Sequence, residues 1–146
     1  MSLFSSETIK LNMVAKNKMS AIDEMIDILF ENSILNDKYK YKKAILEREE
    51  SATTGIGFGI AIPHAKTDAV NTAHVAVGIC RTGFDFESVD GSLSKIIFMI
   101  AVPNNADNLH LKILAKLSAK LMDLKFREKI INCNNKQIIL SYLNNI

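Results

Sequence analysis

The sequence predicts an α/β protein with helices on both faces of a mixed sheet. Segment types follow the order strand, two helices, a run of strands, then three helices. The clearest strand, Lys95 to Val102, is apolar on both faces, as a central strand covered by helices would be. A length of 146 residues, with 48% apolar and 23% charged residues, suits one domain (1–146) with a substantial core. The net charge of +2 is too small to argue for nucleic acid, and Lys and Arg are scattered among Asp and Glu. Cys80 and Cys133 lie far apart without C-x-x-C spacing, so neither a disulfide nor a zinc site is expected, and free thiols in a reducing cytoplasm are. No apolar run reaches the ~18 residues of a membrane span. The N-terminus has no basic segment followed by an apolar core, so no signal peptide is expected. Residues 1–6 are small and polar enough to be loose.

Ile9 and Leu11 alternate with polar neighbours and predict a short first strand. Ser20 resembles a helix cap, with Asp23 and Glu24 in the first turn, where the helix dipole favours acids. Ile22, Met25, Ile26, Leu29 and Phe30 recur at helical spacing, predicting a helix from about Ala21 to Ser33. Asn36-Asp37 breaks it, and a second helix runs from about Lys38 to Glu50 on the stripe Tyr41, Ala44, Ile45 and Arg48. Arg48 is either an exposed cation paired with a nearby acid or a guanidinium held for an anion; periodicity alone favours the first.

The stretch Ser51 to Lys66 follows, with Gly55, Gly57 and Gly59 alternating with bulky residues, then a short strand, Ile60 to Ile62, then Pro63 and His64. Glycines let backbone N–H groups converge on an anion. Pro63 pushes Ile62 toward extended geometry and should end the strand there. His64 is then presented beside a glycine-rich turn carrying the hydroxyls of Ser51, Thr53 and Thr54. On residue types alone, a lone His after a Pro is more often structural than catalytic.

Beyond it, His74 to Cys80 reads as a strand through Val75, Val77 and Ile79. Gly83 should turn the chain and place Phe84 and Phe86 on a neighbouring strand, and Asp90-Gly91 is a strong turn signal. His74 is expected near the surface at a strand edge, in a structural role. After Pro103 a long helix runs from Ala106 or Asp107 to about Met122, capped by Asp107 or Asn108, with Ile113, Leu114, Leu117 and Leu121 inward. His110 shares that stripe, either as a satisfied core histidine or as an imidazole at an anion-attracting helix end. Two short helices close the chain, Leu124 to Ile131 and Lys136 to Leu143, the last capped by Asn134 with Gln137 completing a capping box.

Thr54-Gly-Ile-Gly-Phe-Gly-Ile-Ala-Ile-Pro-His-Ala-Lys66 resembles the active-site signature of the enzyme IIA components of the bacterial phosphoenolpyruvate-dependent sugar phosphotransferase system, fructose/mannitol class. The resemblance spans nearly the whole chain: an Arg48-Glu49 pair ahead of the signature, the Asp90-Gly91 turn before a strand ending Ile-Ala-Val-Pro103, and His110-Leu-Lys-Ile-Leu opening a long helix. Ala65-Lys66 leans toward the fructose-type group. The resemblance implies a three-layer α/β/α sandwich and a phosphoryl relay. The histidine phosphocarrier protein would phosphorylate His64, and His64 would pass the group to a cysteine of the cognate IIB domain, which serves the membrane IIC component. His110 would steady the phosphoryl group and Arg48 would offset its charge. Thr54 or Thr53, with the Gly55 and Gly57 region, would hold its oxygens. Neither metal nor cofactor is implied, and the relay would be cytoplasmic. Ile56, Phe58 and Ile60 would form an apolar rim for docking. A regulatory protein of the nitrogen-related branch, carrying phosphate on the same histidine without moving sugar, is the alternative. A dead-site anion-binding module and a hydrolase using Ser51 and His64 rank below. The first sits badly with Arg48, His64 and His110 being present together, and the second lacks a nucleophile elbow.

Overall fold

In the computed structural model, which describes residues 3–144 and 146, the apolar strand foreseen at Lys95–Val102 is β6, Ser94–Val102. Side chains alternate across a strand, so a run buried on both sides feeds two cores. Ile97, Met99 and Ala101 join one core; Ile96, Phe98, Ile100 and Val102 join the other. β5, His74–Phe84, runs antiparallel to β6 and divides the same way, with Ala76 and Cys80 on one face and Val75, Val77 and Ile79 on the other. The remaining strands are β1 (Ile9–Lys10), β2 (Gly55–Gly57), β3 (Ile60–Ala61) and β4 (His64–Lys66). Among the described residues these strands form one sheet in the order β1-β5-β6-β3-β2, with β4 also on β6. β1 is parallel to β5, and β3 and β4 are parallel to β6, so the sheet is mixed.

Helices α1 (Lys18–Glu31) and α2 (Lys38–Ser51) cover one face, burying Ile22, Met25, Leu29, Tyr41 and Ile45. Helices α3 (Leu109–Leu121), α4 (Leu124–Ile131) and α5 (Lys136–Leu143) cover the other through Ile113, Leu117, Phe126, Ile130, Ile139 and Leu143. The result is the three-layer α/β/α sandwich that the resemblance implies.

Several boundaries differ from the sequence-based expectation. α1 begins at Lys18 because Asn17, not Ser20, caps it; Ser20 is the third helical residue and returns the capping-box bond to the Asn17 N–H. Asp23 and Glu24 therefore lie beyond the first turn, and Phe30 falls on the exposed side. Gly83 does not end a strand. It has φ 78° within β5, where the register on β6 shifts, and Phe84 still pairs with Ser94. Neither Asp107 nor Asn108 caps α3 with its side chain, and α5 is capped by Asn135 without a capping box. His74 is buried rather than superficial, and its Nε2 lies 2.7 Å from Thr8 Oγ1. The expectation of a loose segment 1–6 fails for Leu3–Ser6: Phe4 is buried and Val75 N–H donates to Leu3 O; residues 1 and 2 lie outside the described residues. Pro63 interrupts a strand instead of ending it. Ile60 and Ala61 face Ile96 and Ile97, while His64 and Ala65 face Ile100 and Ala101, the same offset on both sides of the break. His64 therefore opens a resumed strand held on the central one.

Candidate functional site

An open cleft of about 740 Å³ lies where both helical layers meet the β4 edge of the sheet. The last turns of α2 contribute Glu47 and Arg48, the following ribbon Thr53, Thr54 and Ile56, β4 contributes His64 and Lys66, and α3 contributes His110 and Leu114. The structure thus brings together Arg48, Thr54, His64 and His110, with Thr53 beside them.

His64 is half-buried, with Nδ1 2.8 Å from the Ile62 carbonyl. A carbonyl only accepts, so Nδ1 carries the hydrogen and the neutral ring keeps its lone pair on Nε2. Pro63 makes this possible: it brings the ring two residues past a carbonyl at the strand break. Burial pushes the imidazole pKa down, and the charges of Arg48 and His110 push the same way, against the Ile62 bond and the Glu49 carboxylate. The neutral, nucleophilic form is favoured at neutral pH.

His110 sits in the first turn of α3, half-buried, and its Nδ1 is buried without a hydrogen-bond partner among the described residues. Such an atom is costly unless something fills its valence. Lys66 Nζ donates to Asp107 O at 2.6 Å, tying the loop ahead of α3 to the strand that opens with His64. Arg48 Nη1 donates to Ala52 O at 3.0 Å across the end of α2.

The glycine-rich ribbon has a different use from the one expected. Gly55 and Gly57 do not line the cleft. The Gly55 N–H donates to Thr53 Oγ1 at 3.1 Å, and the Phe58 N–H donates to Asp90 Oδ2 at 3.0 Å. A Cβ on Gly57, where φ is 95°, would stand 2.7 Å from Asp90 Oδ2. The glycines let the ribbon lie against the loop 86–92, and the N–H donors expected to cradle an anion are taken by protein acceptors. Asp90 accepts the Phe58 and Ser92 N–H groups as a carboxylate, with its pKa lowered to about 2 by Ser92 and the Phe58 N–H. Of the expected apolar rim, Ile56 is half-buried and Phe58 is exposed with Arg127 5.0 Å over its ring, but Ile60 is wholly buried. Ser51 is exposed and outside the cleft lining, so the serine–histidine pairing of the hydrolase reading is not assembled.

Glu49 was named in the sequence only as half of the Arg48-Glu49 pair, with no role of its own. Its carboxylate accepts the Thr54 N–H at 3.0 Å and the Thr54 hydroxyl, and takes Lys18 Nζ at 2.8 Å. Burial pushes the Lys18 ammonium down, but Glu49 and Glu87 outweigh it and hold the pKa above its usual value. The one signal in the sequence was adjacency to Arg48; nothing marked Lys18. Lys66, also in the cleft, was named only as the end of the signature, and Ser118 carried no motif. No group of three or more His, Cys, Asp or Glu among the described residues could hold a metal ion, and no described helix is long and apolar enough to cross a membrane.

The sandwich and its imidazole-bearing cleft define a class: an α/β domain that offers a neutral histidine beside a guanidinium and a second imidazole. Residues 2–146 match the family described as phosphoenolpyruvate-dependent sugar phosphotransferase system, EIIA 2, and the chain belongs to that family. It is 43% identical over 142 residues to the PTS system fructose-specific EIIABC component of Bacillus subtilis (strain 168), covering 97% of this chain and 22% of that protein. It is 41% identical over 137 residues to the PTS system fructose-specific EIIA component of Haloferax volcanii, covering 94% and 89%. The chain therefore spans about a fifth of the Bacillus relative and most of the Haloferax one. Among solved structures, the nitrogen regulatory protein IIA-Ntr of Neisseria meningitidis superposes with a TM-score of 0.89 at 28% identity, covering 97% of this chain and 96% of that one. Membership supports a role in phosphoryl relay within a sugar phosphotransferase system.

Proposed function

We propose that the chain is a phosphoryl carrier of sugar uptake, fructose-type, in which Nε2 of His64 is the atom that carries the group. The observation behind this reading is the Nδ1–Ile62 carbonyl bond, which leaves the Nε2 lone pair for a phosphorus electrophile. The donor is the histidine phosphocarrier protein: its N–P bond breaks as the bond to Nε2 forms, and the phosphoryl group moves in line between two nitrogens. Nδ1 keeps its proton throughout, so the phosphorylated ring is cationic and the Ile62 carbonyl steadies it. Arg48 and His110 flank the group and offset its charge, with Thr53 and Thr54 forming the wall behind. The group then leaves for a cysteine thiolate of the cognate IIB domain, which serves the membrane component IIC. We assign this cytoplasmic relay to one domain, residues 1–146. Gly55 and Gly57 shape the ribbon and take no part in holding oxygens.

Two fructose-specific relatives above 40% identity favour sugar transport over regulation. The likeness to IIA-Ntr keeps a second reading, in which the same phosphohistidine signals nitrogen status through bound targets. The test is incubation with phosphoenolpyruvate, enzyme I and the phosphocarrier, with intact mass read at mildly alkaline pH. One added phosphate on the wild type and none on His64→Ala is expected. No phosphate on folded wild type overturns the proposal. Onward transfer to a purified fructose IIB domain separates transport from regulation.

A further inference from the structure

A continuous chain of hydrogen bonds leads from the surface of α1 to the ring of His64. Lys18 Nζ pairs with Glu49 at 2.8 Å. Glu49 accepts the Thr54 N–H at 3.0 Å and the Thr54 hydroxyl. The carbonyl of Thr54 accepts the Ile62 N–H at 3.0 Å. The carbonyl of Ile62 accepts His64 Nδ1–H at 2.8 Å. Thr54 and Ile62 are each bonded at both their N–H and their C=O, so the backbone at each of these residues is held from both sides. The charge heading the chain is shielded from water: the Glu49 side chain is only 5% exposed and that of Lys18 17%. A buried carboxylate is kept ionised only by a partner, which Lys18 supplies. Lys18 is itself fixed from three sides, by Glu87 Oε1 at 2.9 Å, by Thr53 Oγ1 at 3.4 Å and by the Phe86 ring at 4.8 Å.

We propose that Glu49, locked by Lys18, is a positioning residue for His64: by fixing the backbone at Thr54 and Ile62 it holds the imidazole as the Nδ1–H tautomer and aims Nε2 into the cleft. The isolated imidazole has no such constraint, and either tautomer is open to it. Glu49 touches neither the phosphoryl group nor the ring. Its effect is to hold the Ile62 carbonyl where it accepts from Nδ1–H, in the resting ring and in the cationic phosphorylated one.

The inference rests on the carrier reading for its kinetic consequence but not for its tautomer. The decisive variant is therefore Glu49→Gln, which keeps the shape and removes the charge, read by ¹⁵N NMR of the His64 ring and by phosphorylation kinetics. Wild type should show Nδ1–H as the dominant form at pH 8. Glu49→Gln should show a clear rise in the Nε2–H form, and a phosphorylation rate constant lower by about tenfold with an unchanged KM for the phosphocarrier. Lys18→Met should give a change of the same kind, and the double variant should be no worse than Glu49→Gln alone, because both act along one path. Native-like circular dichroism and melting temperature in Glu49→Gln, together with unchanged ring shifts and an unchanged rate constant, would overturn the proposal. A rise in KM with unchanged ring shifts would also overturn it, by marking Glu49 as part of the docking surface. Should wild type accept no phosphate while Glu49→Gln still shifts the tautomer, the carrier reading falls and the positioning role stands.

Discussion

Phe58→Asp separates docking from folding. Phe58 is 64% exposed at the lip of the ribbon, with φ 58° and Arg127 over its ring. Burying a whole Phe side chain stabilises an interface by about 1.5–3 kcal/mol, and the exposed part of this one is worth roughly 1–2 kcal/mol. Losing it weakens an encounter by a factor of about 5–30. The same substitution leaves the fold nearly untouched. Asp tolerates the left-handed backbone better than a bulky ring does. The lost contact with Arg127, worth about 0.5–1 kcal/mol, is partly replaced by an Asp–Arg attraction. The net change in stability should lie within about 0.5 kcal/mol. Initial rates of His64 phosphorylation against phosphocarrier concentration should show KM raised about tenfold. Urea denaturation should show an unmoved midpoint. An unchanged KM refutes the placing of the dock at Phe58, and a midpoint lowered by more than about 0.5 M refutes the account of the fold.

Three further predictions follow from the geometry. Tyr41→Phe removes the buried phenol's 2.8 Å bond to Ile100 O, opposite His64; it should cost about 1 kcal/mol, seen as a melting temperature about 3 °C lower, and no shift would show the bond to be idle. Gly59→Ala meets nothing nearer than 3.6 Å and should cost about 1 kcal/mol of backbone strain, whereas Gly57→Ala also collides with Asp90 and should cost more; equal costs in urea would contradict the packing described. His64 and His74 both have pKa values lowered, chiefly by burial. The unfolded chain therefore takes up protons first, so their contribution to stability is complete above the ordinary ~6.5 and is lost as pH falls toward the folded values. Melting temperature should fall between pH 7.5 and 5.5, and NMR should titrate His64 below 6.5; a midpoint at or above that value refutes the assignment.

Much of the architecture was readable because it rests on periodicity. β6, α2, α4 and the body of α3 come from apolar spacing that only one element type can bury. The errors lie where a local signal met a longer-range contact. Ser20 and Asn17 are both good caps, and the choice between them is made by the box they form together. Gly83 looked like a turn, but β6 supplies a partner on both sides of it. Pro63 looked like a terminus because the sequence does not show that β6 continues beneath the break. The residues that meet in the cleft were singled out through a family likeness, since no spacing marks a histidine as nucleophilic rather than buried. Glu49 entered only as the neighbour of Arg48, because its bonds to the Thr54 N–H and hydroxyl and to Lys18 leave no pattern in side-chain spacing.

Arg48 stands on α2 and His110 on α3, and these helices belong to opposite faces of the sheet. The gap between guanidinium and imidazole is thus a caliper whose jaws are the two outer layers, with His64 on the fixed beam between them. A substitution deep beneath one layer, such as Leu117→Ala under α3, alters the reading of that caliper from a distance. Under the proposed relay, affinity for the phosphoryl group becomes a gauge of how tightly an entire layer is seated, and screening for altered transfer would select core variants that no inspection of the cleft would suggest.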